Sequence, residues 1–183
     1  MIRITSGTLK GRKVRTPSQE VTRPLLTRIR KSLADILRPR LQGARLLDLF
    51  GGSGAIAFEL ISNGAAGAVV TEIDSEASSL IRNNAIDLGI DARVEVCSRD
   101  AIDAVTGYAD EGREFDVIII APPYGLGLQQ RALDALAVRN ILAPSGDIVV
   151  QREDREPSPS APGELRLIRT KTYGRTVFEF YEK

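Results

Sequence analysis

Residues Leu46 to Gly54 read LLDLFGGSG, and this stretch decides the fold of the 183-residue chain. A short apolar run, broken only by Asp48, has the length of a buried strand and leads into a glycine-rich turn. Apolar residues at helical spacing follow the turn, from Ala55 to Ile61. Strand, glycine turn and helix together bring backbone N–H groups and the positive end of a helix close to a ligand.

The glycine turn fits two classes of ligand site. Residues 52–57 (GSGAIA) match the G-x-G-x-x-A pattern of a dinucleotide loop. The same stretch equally suits the cofactor loop of an S-adenosylmethionine (SAM) methyltransferase. A tight turn that binds no ligand is a third interpretation.

Downstream of residue 45 the pattern alternates between strand and helix, which predicts a doubly wound α/β sheet with helices on both faces. A final pair of strands, joined by a turn at Tyr173-Gly174, must be antiparallel because the connection is so short. The charged and Pro/Ser-rich segment 153–163 is predicted to be a mobile loop. The predicted strands are 45–50, 68–73, 92–97, 115–121, 146–151, 165–171 and 175–182, and the predicted helices are 54–63, 75–88, 101–109 and 127–141.

The first forty residues are strongly basic. They hold eleven Lys or Arg against two acids, a net charge of 11 − 2 = +9, so the rest of this chain of net charge +1 carries −8. A small hairpin, a linker (residues 17–21) and a helix from Thr22-Arg23-Pro24 to Pro39 are predicted there. We therefore expect residues 1–40 to be a basic extension that meets a polyanion, with nucleic acid favoured over a merely solvated surface, and residues 41–183 to form the ligand-binding domain.

Composition excludes several chemistries. The chain has no histidine, which removes Ser-His-Asp, Cys-His and His-ligated metal sites. A single cysteine, Cys97, excludes an internal disulfide and suits a reducing compartment. No apolar run reaches membrane-spanning length. We expect a cytoplasmic protein without metal or membrane contacts.

Acidic residues follow successive predicted strands. Asp48 lies near the end of the first sheet strand and Glu72 at the end of the second, 20 residues after Gly52, the spacing at which a carboxylate accepts hydrogen bonds from a ribose diol. Asp74 or Ser75 is expected to cap the next helix, which leaves Glu72 for a ligand. Asp100-Ala101 follows the third strand, where Asp100 is either a contact for an adenine amine or another helix cap.

The fourth strand runs into Ala121-Pro122-Pro123-Tyr124. Two prolines after a buried strand form a rigid shelf, and an aromatic residue on such a shelf can stack on a base that has left its helix. A simple loop with Tyr124 at its rim is the alternative.

These motifs, in this order, resemble a SAM-dependent amino-methyltransferase. The segments RITSG (residues 3–7), KGRK (10–13), TRP (22–24), RIR (28–30) and YGRT (173–176) narrow the resemblance to the RsmD-type family, which methylates the N2 amine of a guanine in 16S ribosomal RNA. The resemblance spans nearly the whole chain. It implies a seven-stranded class I methyltransferase (Rossmann-like) fold, SAM as cofactor, and 16S ribosomal RNA as substrate, within a small-subunit assembly particle.

The resemblance also assigns residues. Those around SAM would be Asp48, Phe50, Gly51, Gly52, Ser53 and Gly54 at the methionine part, Glu72 at the ribose, and Ile73, Asp100 and Ala101 at the adenine. The target amine would lie at Ala121, Pro122, Pro123 and Tyr124. The RNA contacts, mainly to phosphate, would be Arg3, Lys10, Arg12, Lys13, Arg23, Arg28 and Arg30.

One position departs from the family. Its fourth motif begins with Asp, or Asn in related amino-methyltransferases, where this chain has Ala121. That side chain would accept a hydrogen bond from the target amine and direct the nitrogen lone pair at the methyl carbon. Loss of one aligned acceptor costs about 3 kcal/mol in the barrier, although the backbone carbonyls of Ala121 and Pro122 remain as acceptors.

Three functions therefore stay open from the sequence. The first is a monomeric RsmD-like guanine-N2 methyltransferase whose activity Ala121 impairs. The second is a relative that binds SAM and ribosomal RNA without catalysis. The third, disfavoured because no proton donor accompanies a hydride acceptor, is an NAD-dependent oxidoreductase.

Overall fold

Strands and helices alternate along the chain in the order that the sequence predicts. The computed structural model describes residues 1–17 and 24–183, and for residues 24–26 the backbone alone. The strands are β1 (Ile2–Arg3), β2 (Lys13–Val14), β3 (Arg45–Asp48), β4 (Gly67–Thr71), β5 (Val94–Cys97), β6 (Phe115–Ile120), β7 (Leu142–Glu153), β8 (Arg166–Tyr173) and β9 (Thr176–Glu182). The helices are α1 (Pro24–Leu41), α2 (Ala55–Ser62), α3 (Ser75–Leu88), α4 (Ala101–Asp110) and α5 (Leu128–Val138).

Seven strands form the main sheet, in the order β5-β4-β3-β6-β7-β9-β8. The first five of these are parallel to one another, while β9 is antiparallel to β7 and to β8. This confirms the predicted parallel sheet with a C-terminal antiparallel hairpin.

Two apolar layers cover the faces of the sheet. On one face, residues of α1, α2 and α3 pack against Leu46, Val117 and Val149. On the other face, residues of α4 and α5 pack against Leu47 and Ile118. The alternation of side chains along each strand explains why neighbouring residues belong to different layers. Within residues 1–17 and 24–183, no helix is long and apolar enough to cross a membrane.

The prediction that Pro39 ends the first helix is wrong. The helix α1 continues through Pro39 to Leu41. Proline removes one backbone donor from the last turn, but Leu41 is fully buried and its carbonyl accepts a hydrogen bond from Ala44 N at 3.0 Å. Burial of one leucine thus outweighs the lost helical hydrogen bond. The predicted start at Thr22-Arg23 and most of the predicted linker lie outside the described residues.

A bulge in β7 makes this strand begin earlier than predicted, at residue 142 rather than 146. Phe115 and Val117, two residues apart on β6, face Leu142 and Asp147, which are five residues apart on β7. The helix before it ends at Val138 rather than at residue 141, because the chain already joins the sheet through a hydrogen bond from Phe115 N to the carbonyl of residue 141.

The N-terminal arm packs on the end of α2. Thr8 N donates to the carbonyl oxygen of Ser62 at 2.8 Å, and a Cβ built on Gly7 would lie 1.8 Å from the same oxygen. Glu59, whose side chain is buried, accepts hydrogen bonds from the backbone N–H and the hydroxyl of both Thr5 and Ser6. The arm is therefore fastened to the helix that follows the glycine turn.

The segment after β7 differs from the mobile loop that the sequence predicts. Glu156 accepts hydrogen bonds from Gly125 N at 2.6 Å and Glu153 N at 2.7 Å. Further along the segment, Ser158 Oγ donates to Glu179 Oε1 at 2.8 Å. Charge and proline content predicted a mobile loop; the segment is irregular, and contacts with residues distant in sequence hold it against the sheet.

Candidate functional site

The glycine turn is shaped by close packing. Gly51 N donates to the carbonyl of Thr71, the last residue of β4, at 2.8 Å. A Cβ on Gly51 would lie 2.5 Å from a methyl group of Val70, and one on Gly54, at φ +78°, would lie 2.5 Å from the Phe58 ring. These two positions require glycine, for space and, at Gly54, for the left-handed conformation. The backbone of the turn is thereby held at the carboxyl ends of β3 and β4.

Glu72 bridges the glycine turn and the next helix. Its Oε2 accepts a hydrogen bond from Gly52 N at 2.8 Å and its Oε1 accepts one from Asp74 N at 3.0 Å. Asp74 is the cap of α3, with its Oδ1 accepting from Ala77 N, as the sequence predicts. Each carboxylate oxygen of Glu72 retains a second lone pair, which suits the expected contact with a ribose diol.

Asp48 is a buried acid directly beneath the turn. Its side chain is 1% exposed, and Phe50 N donates to its Oδ1 at 3.3 Å. Burial, the largest cause, and the negative charge of Glu72 together raise the pKa of Asp48 to about 7, against the lowering effect of the hydrogen bond from Phe50 N. A cation placed at the turn would favour the ionised form.

The expected adenine contacts lie past β4 and β5. Ile73 is 71% exposed, so its side chain is available for a flat ring. Asp100 caps α4, with Oδ1 accepting from Ile102 N at 2.8 Å. The capping interpretation of Asp100 is therefore confirmed, and the cap uses only one of its two oxygens. Ala101 is buried as the first residue of α4.

The proline shelf follows β6 directly. Ala121 is half-buried and Pro122 is buried, while Pro123 and Tyr124 are exposed. Tyr124 is held by a residue that the sequence did not indicate: Gln151 Nε2 donates to the Tyr124 hydroxyl oxygen at 2.9 Å. In the sequence, Gln151 could have been recognised as a candidate because it is the polar residue that follows the apolar run Ile148 to Val150.

A cavity of about 180 Å³ lies between the glycine turn and Ala121, the residue that precedes the proline shelf. Its walls are α1, the glycine turn, Ala121 and Gln151. A larger cavity of about 500 Å³ lies at the amino ends of the parallel strands, near Arg45 and Phe115, the first residues of β3 and β6. Ligands of doubly wound sheets bind at the carboxyl ends of the strands, so the smaller cavity is the candidate active site.

Most of the basic residues expected to contact RNA lie on the surface of the arm and of α1. Exposed members are Arg3, Lys10, Arg12, Lys13 and Arg28. Some already have partners, since Arg12 Nη2 donates to the carbonyl of Asp87. Arg23 lies outside the described residues.

Arg30 has a different environment from the other basic residues. It is 8% exposed, donates from Nη2 to the carbonyl of Arg3 at 3.0 Å, and lies 3.9 Å from the Glu59 carboxylate. Its side chain also lines the candidate active site. An RNA contact at Arg30 would therefore form only inside that cavity.

The residues at this edge of the sheet fit SAM. Gly52 has open space on its outer side, since a Cβ there would meet no atom within 4 Å. The Glu72 carboxylate can accept hydrogen bonds from a ribose, and the exposed Ile73 side chain can pack on an adenine. Fold and site together define a class I SAM-dependent methyltransferase, with SAM as the cofactor. Its fold is shared with a SAM-dependent methyltransferase from Agrobacterium tumefaciens, at a TM-score of 0.65 and 16% identity, over 88% of this chain and 63% of the other.

Comparison with protein families gives a narrower assignment. The family model described as Conserved hypothetical protein 95 matches residues 2–182, and the chain belongs to this family, the RsmD-type methyltransferases. Ribosomal RNA small subunit methyltransferase D of Escherichia coli (strain K12) is 32% identical over 183 residues, covering 100% of this chain and 90% of that protein. The solved structure of a hypothetical protein from Thermus thermophilus is similar with a TM-score of 0.83 and 28% identity, over 98% of both chains. The prediction of SAM rather than a dinucleotide as the cofactor is thus confirmed, while the binding of SAM by the glycine turn stays a prediction.

Proposed function

We propose that this protein methylates the exocyclic N2 amine of a guanine in 16S ribosomal RNA. The observation that carries the proposal is the shared cavity, which has the glycine turn on one side and Ala121, at the start of the proline shelf, on the other. A methyl donor on the turn and a base on the shelf would then meet in one space. The relative from Escherichia coli is named as a methyltransferase of small-subunit ribosomal RNA, which supports the choice of RNA.

Three groups of residues would bind the nucleoside part of SAM, its methionine part and the target base. Glu72, Ile73 and Asp100 would hold the nucleoside part of SAM, and the glycine turn would hold its methionine part above Asp48. SAM supplies an activated methyl group on a positively charged sulfur. Tyr124 would stack on the flipped guanine, so that its amine approaches the methyl carbon in line with the bond that breaks.

The basic arm would bring the RNA to the cavity. Exposed cations lie on residues 1–17 and on α1, and α1 forms a wall of the cavity. Contacts between these cations and phosphate supply affinity and register but little choice of sequence. The target guanine would therefore be selected by its accessibility in a small-subunit assembly particle in the cytoplasm, with the protein acting as a monomer.

Ala121 favours one competing function, a relative that binds SAM and ribosomal RNA without methyl transfer. The deciding experiment incubates radiolabelled SAM with small ribosomal subunits that lack the modification, using the protein and its Ala121→Asp variant side by side. Nuclease digestion and mass spectrometry then identify the methylated nucleoside against an N2-methylguanosine standard.

We expect N2-methylguanosine with both proteins. Label on another nucleoside would refute the guanine-N2 assignment. Binding of SAM and subunits by both proteins, without any label in RNA, would instead establish the non-catalytic function. Light scattering of the purified protein tests the monomer.

A further inference from the structure

The neighbour of Ala121 in the sheet is Gln151. In the parallel pair of β6 and β7, Ile120 faces Val150, so the next residues of the two chains, Ala121 and Gln151, lie side by side. Neighbouring strands are about 4.8 Å apart, and facing residues project from the same side of a sheet. Both residues accordingly line the candidate active site.

The nitrogen and the oxygen of the Gln151 carboxamide differ in their hydrogen bonding. Its Nε2 donates to the Tyr124 hydroxyl oxygen at 2.9 Å. Among the described residues no hydrogen bond to Gln151 Oε1 is found, although the side chain is half-buried and borders the cavity. A carboxamide oxygen is a good acceptor with two lone pairs, and it stands next to the position where Ala121 offers no side-chain acceptor at all.

We propose that Gln151 Oε1 accepts the hydrogen bond from the target amine and so replaces, from β7, the acceptor that Ala121 lacks on β6. The proposal rests on the proposed function. In the step it assists, the lone pair of the guanine nitrogen forms the N–C bond while the C–S bond breaks and leaves its electron pair on sulfur. The nitrogen then loses one proton to water. Gln151 needs only to orient the amine, since an amide oxygen does not take the proton.

Tyr124 makes this acceptor pre-organised. The amide that would hold the amine also holds, through its nitrogen, the phenol ring on which the base would stack. The Tyr124 ring and Gln151 Oε1 thus have a fixed relative position before the RNA binds, which reduces the reorganisation that the reaction requires. Gln151 would contact the reacting amine directly, and it is in this sense that it is a catalytic residue.

The test measures single-turnover methylation of small ribosomal subunits by four variants. Gln151→Met keeps the size of the side chain and removes the acceptor, and we expect a rate about 100-fold lower with SAM affinity unchanged. Gln151→Glu retains an acceptor and should stay within about tenfold of the unmodified protein. Tyr124→Phe removes the partner of Nε2 but keeps the ring, and it should lower the rate by less than tenfold.

The decisive variant is the double substitution Gln151→Met with Ala121→Asp. It returns an acceptor to β6, and we expect it to recover at least tenfold of the rate lost in Gln151→Met. Thermal melting and calorimetric SAM titration confirm that each variant folds and binds. A purely structural role of Gln151 would not be rescued from Ala121.

Two failures remain distinguishable. If the unmodified protein methylates subunits and Gln151→Met does so at the same rate, or Tyr124→Phe loses as much as Gln151→Met, the role of Gln151 is refuted while the proposed function stands. If the unmodified protein and the Ala121→Asp variant both bind SAM but methylate no ribosomal RNA, the proposed function fails, and the role of Gln151 fails with it.

Discussion

We predict that the buried carboxyl of Asp48 makes SAM affinity depend on pH. Burial, the largest cause, and the charge of Glu72 raise the pKa of Asp48 to about 7 in the ligand-free protein. SAM carries positive charges on its sulfur and its amino group, and either charge near Asp48 favours the ionised carboxylate. Binding should therefore be coupled to the loss of one proton from Asp48.

The sign and size of the effect follow from this pKa. Above about pH 7 the carboxylate is already ionised and affinity is full. Below it, each pH unit leaves about tenfold less of the ionised form. About half of the carboxyl groups are ionised at pH 7, so affinity at pH 5 should be about 50-fold weaker than at pH 7, or about 2.3 kcal/mol. The Asp48→Asn variant cannot ionise and should bind weakly, with no such slope.

Isothermal titration calorimetry with SAM between pH 5 and 7 measures this slope for both proteins. Repeating the titration at pH 6 in two buffers of different ionisation enthalpy counts the protons released, and we expect about one for the unmodified protein and none for Asp48→Asn. Equal affinity at pH 5 and pH 7 in the unmodified protein would refute the reasoning. An equal slope in Asp48→Asn would assign the titration to another group.

Three further predictions concern stability and RNA binding. Without SAM, the raised pKa of Asp48 means that between about pH 4 and 7 the folded protein keeps a proton that the unfolded chain has lost. The free energy of unfolding should therefore fall as pH rises through that window. Urea unfolding at pH 8 should find the Asp48→Asn variant more stable than the unmodified protein by up to about 4 kcal/mol. Gly7→Ala should destabilise the protein well beyond Gly11→Ala, because both positions have positive φ but only the former would place Cβ 1.8 Å from the backbone of α2; equal midpoints in thermal unfolding would contradict this. Replacing Lys10 or Lys13 by Ala should weaken ribosomal RNA binding and lower the slope of log K against log salt by about 1 for each lysine–phosphate pair that the substitution removes, whereas an unchanged slope would place the RNA elsewhere.

The order of elements could be predicted because it depends on local patterns. Apolar runs of strand length and glycines at helix ends are visible in short windows of sequence. Gly89, for example, is left-handed and follows α3 directly, so that the helix ends at residue 88 as predicted. The parallel arrangement then places Asp48 and Glu72 at one edge without further information. The predicted helix end at Pro39 failed because Leu41 is held by burial against distant residues, which no local window contains.

The candidate site was less predictable, since its side chains meet through contacts across the sheet. Glu156 accepts a hydrogen bond from Gly125 N, 31 residues away, and that bond fastens a segment whose composition predicts a mobile loop. Ala121 could be singled out by its motif. Its partner could not, because the residue beside Ala121 depends on the register between two strands.

The bulge in β7 determines that register. Phe115 faces Leu142, and a regular pairing from there would place Ala121 beside Ile148. The three extra residues that β7 accommodates before Asp147 move the pairing along, so that Ile120 faces Val150 and Ala121 has Gln151 as its neighbour. An apolar isoleucine is thereby exchanged for a hydrogen-bonding amide at the one position next to the missing acid. The bulge also explains why Ile148 packs instead against the α4 and α5 layer. A backbone irregularity at the start of β7 thus decides which side chain lies beside Ala121, and with it which group could serve as the acceptor that we propose for the target amine.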